Sequence, residues 1–159
     1  VKSKAIIKKV IMVYKQELKY YQKLLDLTHR QEQLILEEKF NKLEEIITAK
    51  DKIIEEIDEL ETELFPLKKE ITEEFNLPSE TWLLELSKIT EAQELNNIIS
   101  KLREVVNELI KLEKENEKLI NDKKKQLAKE INQVKEGNKI NKSYTKKKRV
   151  HSTFIDQKS

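Results

Sequence analysis

The chain has 159 residues, of which 39% are charged, with one Gly, two Pro and no Cys; that is enough for one domain with a core and too few for two to be expected. One glycine leaves almost no chemistry for hairpin turns or a phosphate-cradling loop, and the lack of cysteine removes disulfides, thiolate metal sites and Cys nucleophiles together. The net charge of +2 hides a split: residues 139–159 carry seven basic side chains against one acidic, whereas the first 138 carry 25 against 29, so the body is no polyanion binder. Richness in Glu, Lys and Leu is that of long helices with charged outer faces. The fold class expected is all-α: an elongated antiparallel bundle of three long helices with one short connecting helix (domain 1–138), followed by a flexible, basic, disordered C-terminal tail (139–159). No apolar run approaches the ~18 residues of a membrane span, and the opening VKSKAIIKKVIMVY has no small-residue cleavage site. A cytoplasmic protein without stable membrane insertion is expected.

Apolar positions at Ile7, Ile11, Tyr14, Leu18, Tyr21, Leu25, Thr28 and Ile35 keep the spacing of one helical face and predict a first helix over 3–38. A second stripe, Leu43, Ile46, Ile53, Ile57, Leu60 and Leu64, follows, and Asn41 with Glu44 makes a capping-box variant that starts it. So short a joint, Lys39-Phe40-Asn41, predicts an antiparallel hairpin. Pro66 removes a backbone donor, yet Leu67, Ile71 and Phe75 continue the stripe, so a kinked continuation is expected there. The break is placed at Asn76-Leu77-Pro78. Ser79 then caps a short helix carrying Trp82, Leu83, Leu86 and Ile89, and Thr90 with Gln93 supplies a second capping box.

The last long helix is predicted over 91–136, with Gly137 as its C-cap. Its stripe is Leu95, Ile98, Leu102, Val105, Leu109, Leu112, Asn116, Leu119, Leu127, Ile131 and Val134. At 1.5 Å per residue this helix exceeds the first two by roughly 15 Å, which leaves Leu127, Ile131 and Val134 either to fray or to take an amphipathic partner helix from outside.

The constellations of catalysis are missing. His29 and Glu32 share a face, but di-iron bundles need the Glu-x-x-His pair twice with two further carboxylates. Ser and Thr have no His in a nucleophile arrangement, so no enzyme, cofactor or metal site is expected. Trp82 is more often core than site, and is expected to plug the bundle end beside the Asn76–Pro78 turn. Asn116 within an apolar stripe is either a solvated residue at a loose edge or a buried Asn that sets helix register. The run KKKR at 146–149 could release counterions from phosphates, but no groove-reading motif accompanies it, and no nucleic-acid partner is expected.

In this order the pieces resemble the FlgN-type flagellar export chaperones over nearly the whole chain. The stretch YYQKLLDLTHRQEQLILEEKFNKLEEIITAKDKIIEEIDELE looks like the first hairpin of that family, and LIKLEKENEKLINDKKKQLAKEINQV like its last helix, with Asn116 and Leu119 in an N-x-x-L pattern. The tail SYTKKKRVHSTFIDQKS is similar to family ends that place a Tyr soon after the bundle, although Thr145 and a basic run follow Tyr144 where Gly or Asp is common. The resemblance implies a small cytoplasmic chaperone without ATPase activity. It would hold hook-associated proteins of the hook–filament junction, prevent their premature polymerisation and deliver them to the flagellar type III export apparatus. Cargo contact would then fall on Leu119, Leu127, Ile131 and Val134, and docking on the export gate or the ATPase complex on Tyr144. A monomer or weak dimer is expected; the alternative from another class is a structural coiled-coil scaffold that self-associates along its stripes.

Overall fold

A computed structural model describes residues 2–140. They form four helices joined by short connections: α1 (Lys2–Leu36), α2 (Leu43–Glu74), α3 (Trp82–Ser87) and α4 (Gln93–Ile140), with 3-10 turns at Phe40–Lys42 and Thr90–Ala92. The all-α bundle that the apolar periodicity predicted is what forms, and among the described residues there is no strand. The chain divides into two compact units, residues 1–113 and 114–159, and the division falls inside α4.

In the first unit α1 and α2 are an antiparallel hairpin, tied across by Lys50 Nζ donating to Gln31 Oε1 at 3.0 Å. Lys15 pairs with Glu94 and His29 with Glu108, the same offset of 79 residues in both cases, so α1 and the first part of α4 run parallel. Helix α1 therefore lies between two neighbours. Of the predicted stripe it buries Ile7, Ile11, Tyr14, Thr28 and Ile35 and leaves Leu18, Tyr21 and Leu25 half-buried, and beside it lies a second buried line, Ile6, Val10, Val13, Glu17, Leu24 and Leu34. On α2 the buried positions are Leu43, Ile46, Ile57, Leu64 and Ile71, all on the predicted stripe.

The core is densest at one end of the unit. There Ile6, Val10, Tyr14, Leu64, Ile71, Trp82, Leu86, Ala92 and Leu95 make one cluster, with Ile71, Leu86 and Leu95 wholly removed from solvent. Trp82 is core, as its position beside the turn implied. Each such side chain contributes about 1.5–3 kcal/mol by leaving water.

Both long helices of the hairpin close with the same backbone device. After α1, Lys39 N–H donates to Leu34 O at 2.8 Å and Glu38 N–H to Ile35 O at 3.1 Å; after α2, Leu77 N–H donates to Thr72 O at 2.9 Å and Asn76 N–H to Glu73 O at 3.4 Å. This pair of bonds requires a left-handed residue at the turn, and Glu38 (φ 58°) and Asn76 (φ 50°) supply it. Asn tolerates that region; Glu pays steric strain of about 1–2 kcal/mol. Glu38→Gly is accordingly expected to stabilise the chain by about 1 kcal/mol, read from urea unfolding midpoints at unchanged m-value.

Helix α2 continues through Pro66, as the stripe predicted; the ring sits on the exposed face, where water can satisfy the carbonyl that loses its donor. Three other local expectations meet differences. Asn41 does not cap α2. It lies inside the 3-10 turn, and the N-cap is Lys42, already right-handed at φ −93° and ψ −10° and without a side-chain cap bond. Nor does Ser79 cap α3, whose N-cap is Thr81; a six-residue helix starts where burial of Trp82 and Leu86 places it, since so short a helix has little stability of its own. Gly137 is no C-cap, because α4 continues to Ile140 and no glycine takes a positive φ. A right-handed Gly inside a helix costs only about 1 kcal/mol, which is too little to end a helix of 48 residues.

Candidate partner-binding helix

Helix α4 has 48 residues against 35 for α1 and 32 for α2, a difference of about 20 Å from α1. Just before the division between the units, three helices meet at a polar junction. The Thr28 hydroxyl, wholly buried, lies 2.7 Å from Leu24 O and 3.2 Å from Glu113 Oε1. Lys50, with a side chain only 12% exposed, is in contact with the same Glu113 carboxylate and donates to Gln31. A cation so placed is tolerated because both a carboxylate and an amide oxygen receive it.

In the second unit the described residues are the rest of α4. Asn116 is 2% exposed, so it is not a solvated residue at a loose edge. Leu119, Leu127 and Ile131 are half-buried, and Val134 is 44% exposed. At about 100° per residue, Leu127, Ile131 and Val134 lie within about 60° of one another on the helix surface, whereas Leu119 stands about 80° round from Leu127. Ile120, half-buried, lies only about 20° from that line and completes the face; the stripe drawn from sequence passed it over for its neighbour. Tyr144 and the whole basic tail after Ile140 lie outside the described residues.

Among the described residues no group of three His, Cys, Asp or Glu side chains could hold a metal ion. His29 is half-exposed and 3.8 Å from Glu108, so it belongs to a surface pair between α1 and α4. The groove between those two helices is shallow and rimmed by Lys15, Lys19, Glu94 and Lys101, of which Lys15 and Glu94 satisfy each other. No described helix is long and apolar enough to cross a membrane. With Ile120, the residues Leu127, Ile131 and Val134 make one apolar line along the later part of α4.

A family model described as FlgN protein matches residues 6–152. The chain belongs to the FlgN family. Membership makes it a flagellar export chaperone, from a family of chaperones rather than of enzymes, and implies that it binds flagellar export substrates. No curated protein and no solved structure matches the chain. The match spans the hairpin, the polar junction and all of α4, so this FlgN-family fold includes the face built by Ile120, Leu127, Ile131 and Val134.

Two interior charged groups of this FlgN-family bundle, Glu17 and Lys50, escaped the sequence reading, as did the buried Ser87 and Asn138. The signal was available for the two charges. Lys50 occupies the vacant slot in the series Leu43, Ile46, Ile53, Ile57, Leu60, Leu64, and Glu17 the slot after Ile6, Val10 and Val13. A charge at a stripe position is a marker of a built interaction.

Proposed function

We propose that the chain is a cytoplasmic chaperone that seats the amphipathic terminal helix of a hook-associated protein on α4. The contacts are Leu127, Ile131 and Val134 with Ile120 and Leu119 at the border, and the buried Asn116 sets helix register. Such cargo helices are unpaired until they polymerise, so covering their apolar face, at about 25 cal/mol per Å², suppresses premature assembly. The segment after Ile140, with Tyr144 and the KKKR run, then docks on the export gate or the ATPase complex of the flagellar type III apparatus. The chain works as a monomer or weak dimer.

The observation that carries this reading is the family match over residues 6–152, together with an apolar face on α4 whose Val134 is 44% exposed. The test is calorimetric titration of the full chain, and of a 1–140 truncation, with each hook-associated protein of the same source. One-to-one binding by both forms is expected, with capture of the export gate or ATPase complex lost in the truncation. No binding to any hook-associated protein, with tight self-association by ultracentrifugation, would overturn the reading in favour of a scaffold.

A further inference from the structure

Glu17 stands one turn beyond Tyr14 on the inner side of α1 and is 5% exposed. Its Oε2 is a buried atom with no hydrogen-bond partner, and the carboxyl of Glu61 on α2 is the neighbouring group that acts on it. Two ionised carboxylates can only accept, so a bond between them needs one proton held by the pair. Burial first, then the bond to Glu61 and its charge, push the Glu17 carboxyl up to about 8.

The groups that act on the pair's neighbours are of the same sign. On α1, Tyr14 and Tyr21 are driven above the ordinary phenol range by burial and by Glu17 and Glu61. Asp58 on α2 adds to the negative field at Tyr21. The charges that α4 presents beside α1 at this level, Glu94 and Lys101, line the groove with Lys15 and Lys19, and Glu94 is taken by Lys15. On α3, Glu85 pairs with Lys88 at 3.2 Å.

We infer that Glu17 and Glu61 form a proton-operated clasp between α1 and α2. With one proton shared, the two helices are hydrogen-bonded across the middle of the hairpin; with it lost, two carboxylates repel inside the interface and the hairpin loosens there. Tyr14 and Tyr21, on which both carboxyls act, lie beside the opening. The sign is opposite to that of an ordinary salt-bridged carboxylate. An unfolded glutamate gives up its proton near 4.5 while the folded one holds it to about 8, so across that window the folded chain binds more protons and its stability falls as pH rises.

The experiment uses the full chain and reads the Glu17 carboxyl carbon by NMR from pH 4 to 9, with thermal unfolding at pH 5.5 and 8.5. Wild type is expected to titrate at Glu17 well above neutral and to lose several degrees of Tm between the two pH values. Glu17→Gln, which keeps a donor toward Glu61, is expected to show a smaller loss and a higher Tm than wild type at pH 8.5. Glu61→Gln, a change at an exposed position, supplies the proton permanently and is expected to lower the Glu17 midpoint by at least about one pH unit. Faster amide exchange in 14–21 and 57–64 at pH 8.5 should appear in wild type and not in Glu17→Gln. A Glu17 midpoint near 4.5, or the same pH dependence of Tm in wild type and Glu17→Gln, would overturn the clasp.

Discussion

If the proposed cargo seat is right, replacing Leu127 and Ile131 together by Asp is expected to weaken binding of a hook-associated protein by more than about 100-fold and to leave the first unit folded. Each apolar side chain seated against a partner helix contributes about 1.5–3 kcal/mol, and an Asp left in that seat without a partner costs more. The combined loss exceeds the roughly 2.7 kcal/mol that corresponds to 100-fold in affinity. Both residues are only half-buried in the chain itself, so their replacement takes little from its own packing. Gln133→Asp is the control: Gln133 is exposed and about 120° round the helix from Leu127, and its substitution should leave affinity within about twofold. Titration calorimetry supplies the affinities, and far-ultraviolet circular dichroism on heating supplies the folding check. Equal affinity of the double variant and wild type would remove cargo from this face.

Leu95→Ala is expected to have the largest effect on stability, about 3 kcal/mol. Leu95 is wholly buried in the cluster that joins α1, α2, α3 and the start of α4. Truncating it forfeits transfer energy and leaves a cavity that four elements would have to close at once, and such sites relax least. For a chain of this size the loss corresponds to a fall of about 6–12 °C in Tm. Ile110→Ala on the same helix, at a side chain 49% exposed, should stay within about 0.5 kcal/mol. Urea unfolding at constant m-value distinguishes the two, and equal losses would mean that the cluster is not the tight end of the bundle.

The periodic part of the fold was readable because a helix that packs on one side repeats its apolar residues every three or four positions. That is why α2, with its single buried line from Leu43 to Ile71, was read almost position by position. Helix α1 was read half, because it packs on both sides and its second line contains Glu17 among Ile6, Val10, Val13 and Leu24. Averaged over both faces, that line looks like ordinary interruption. The candidate seat on α4 was legible at Leu127, Ile131 and Val134 for the same reason as α2, while the choice of Leu119 over Ile120 turned on a difference of about 100° between neighbours, which a spacing rule read one residue at a time does not resolve.

Helix ends were the least legible. Asn41, Ser79 and Gly137 all have side chains or backbones suited to caps, and none of them caps, because propensities of about 1 kcal/mol yield to burial of Trp82 and Leu86 and to the long run of α4. The left-handed position at Glu38 carries no local signal at all. What the sequence determined by itself was the all-α class, the order and approximate length of three long helices, and the apolar line of each, since these follow from repeated spacing. Only the tertiary structure decided which polar groups are paired inside. Glu17 meets Glu61, and Lys50 meets Glu113 across 63 residues; a contact between residues far apart in the chain has no period to announce it.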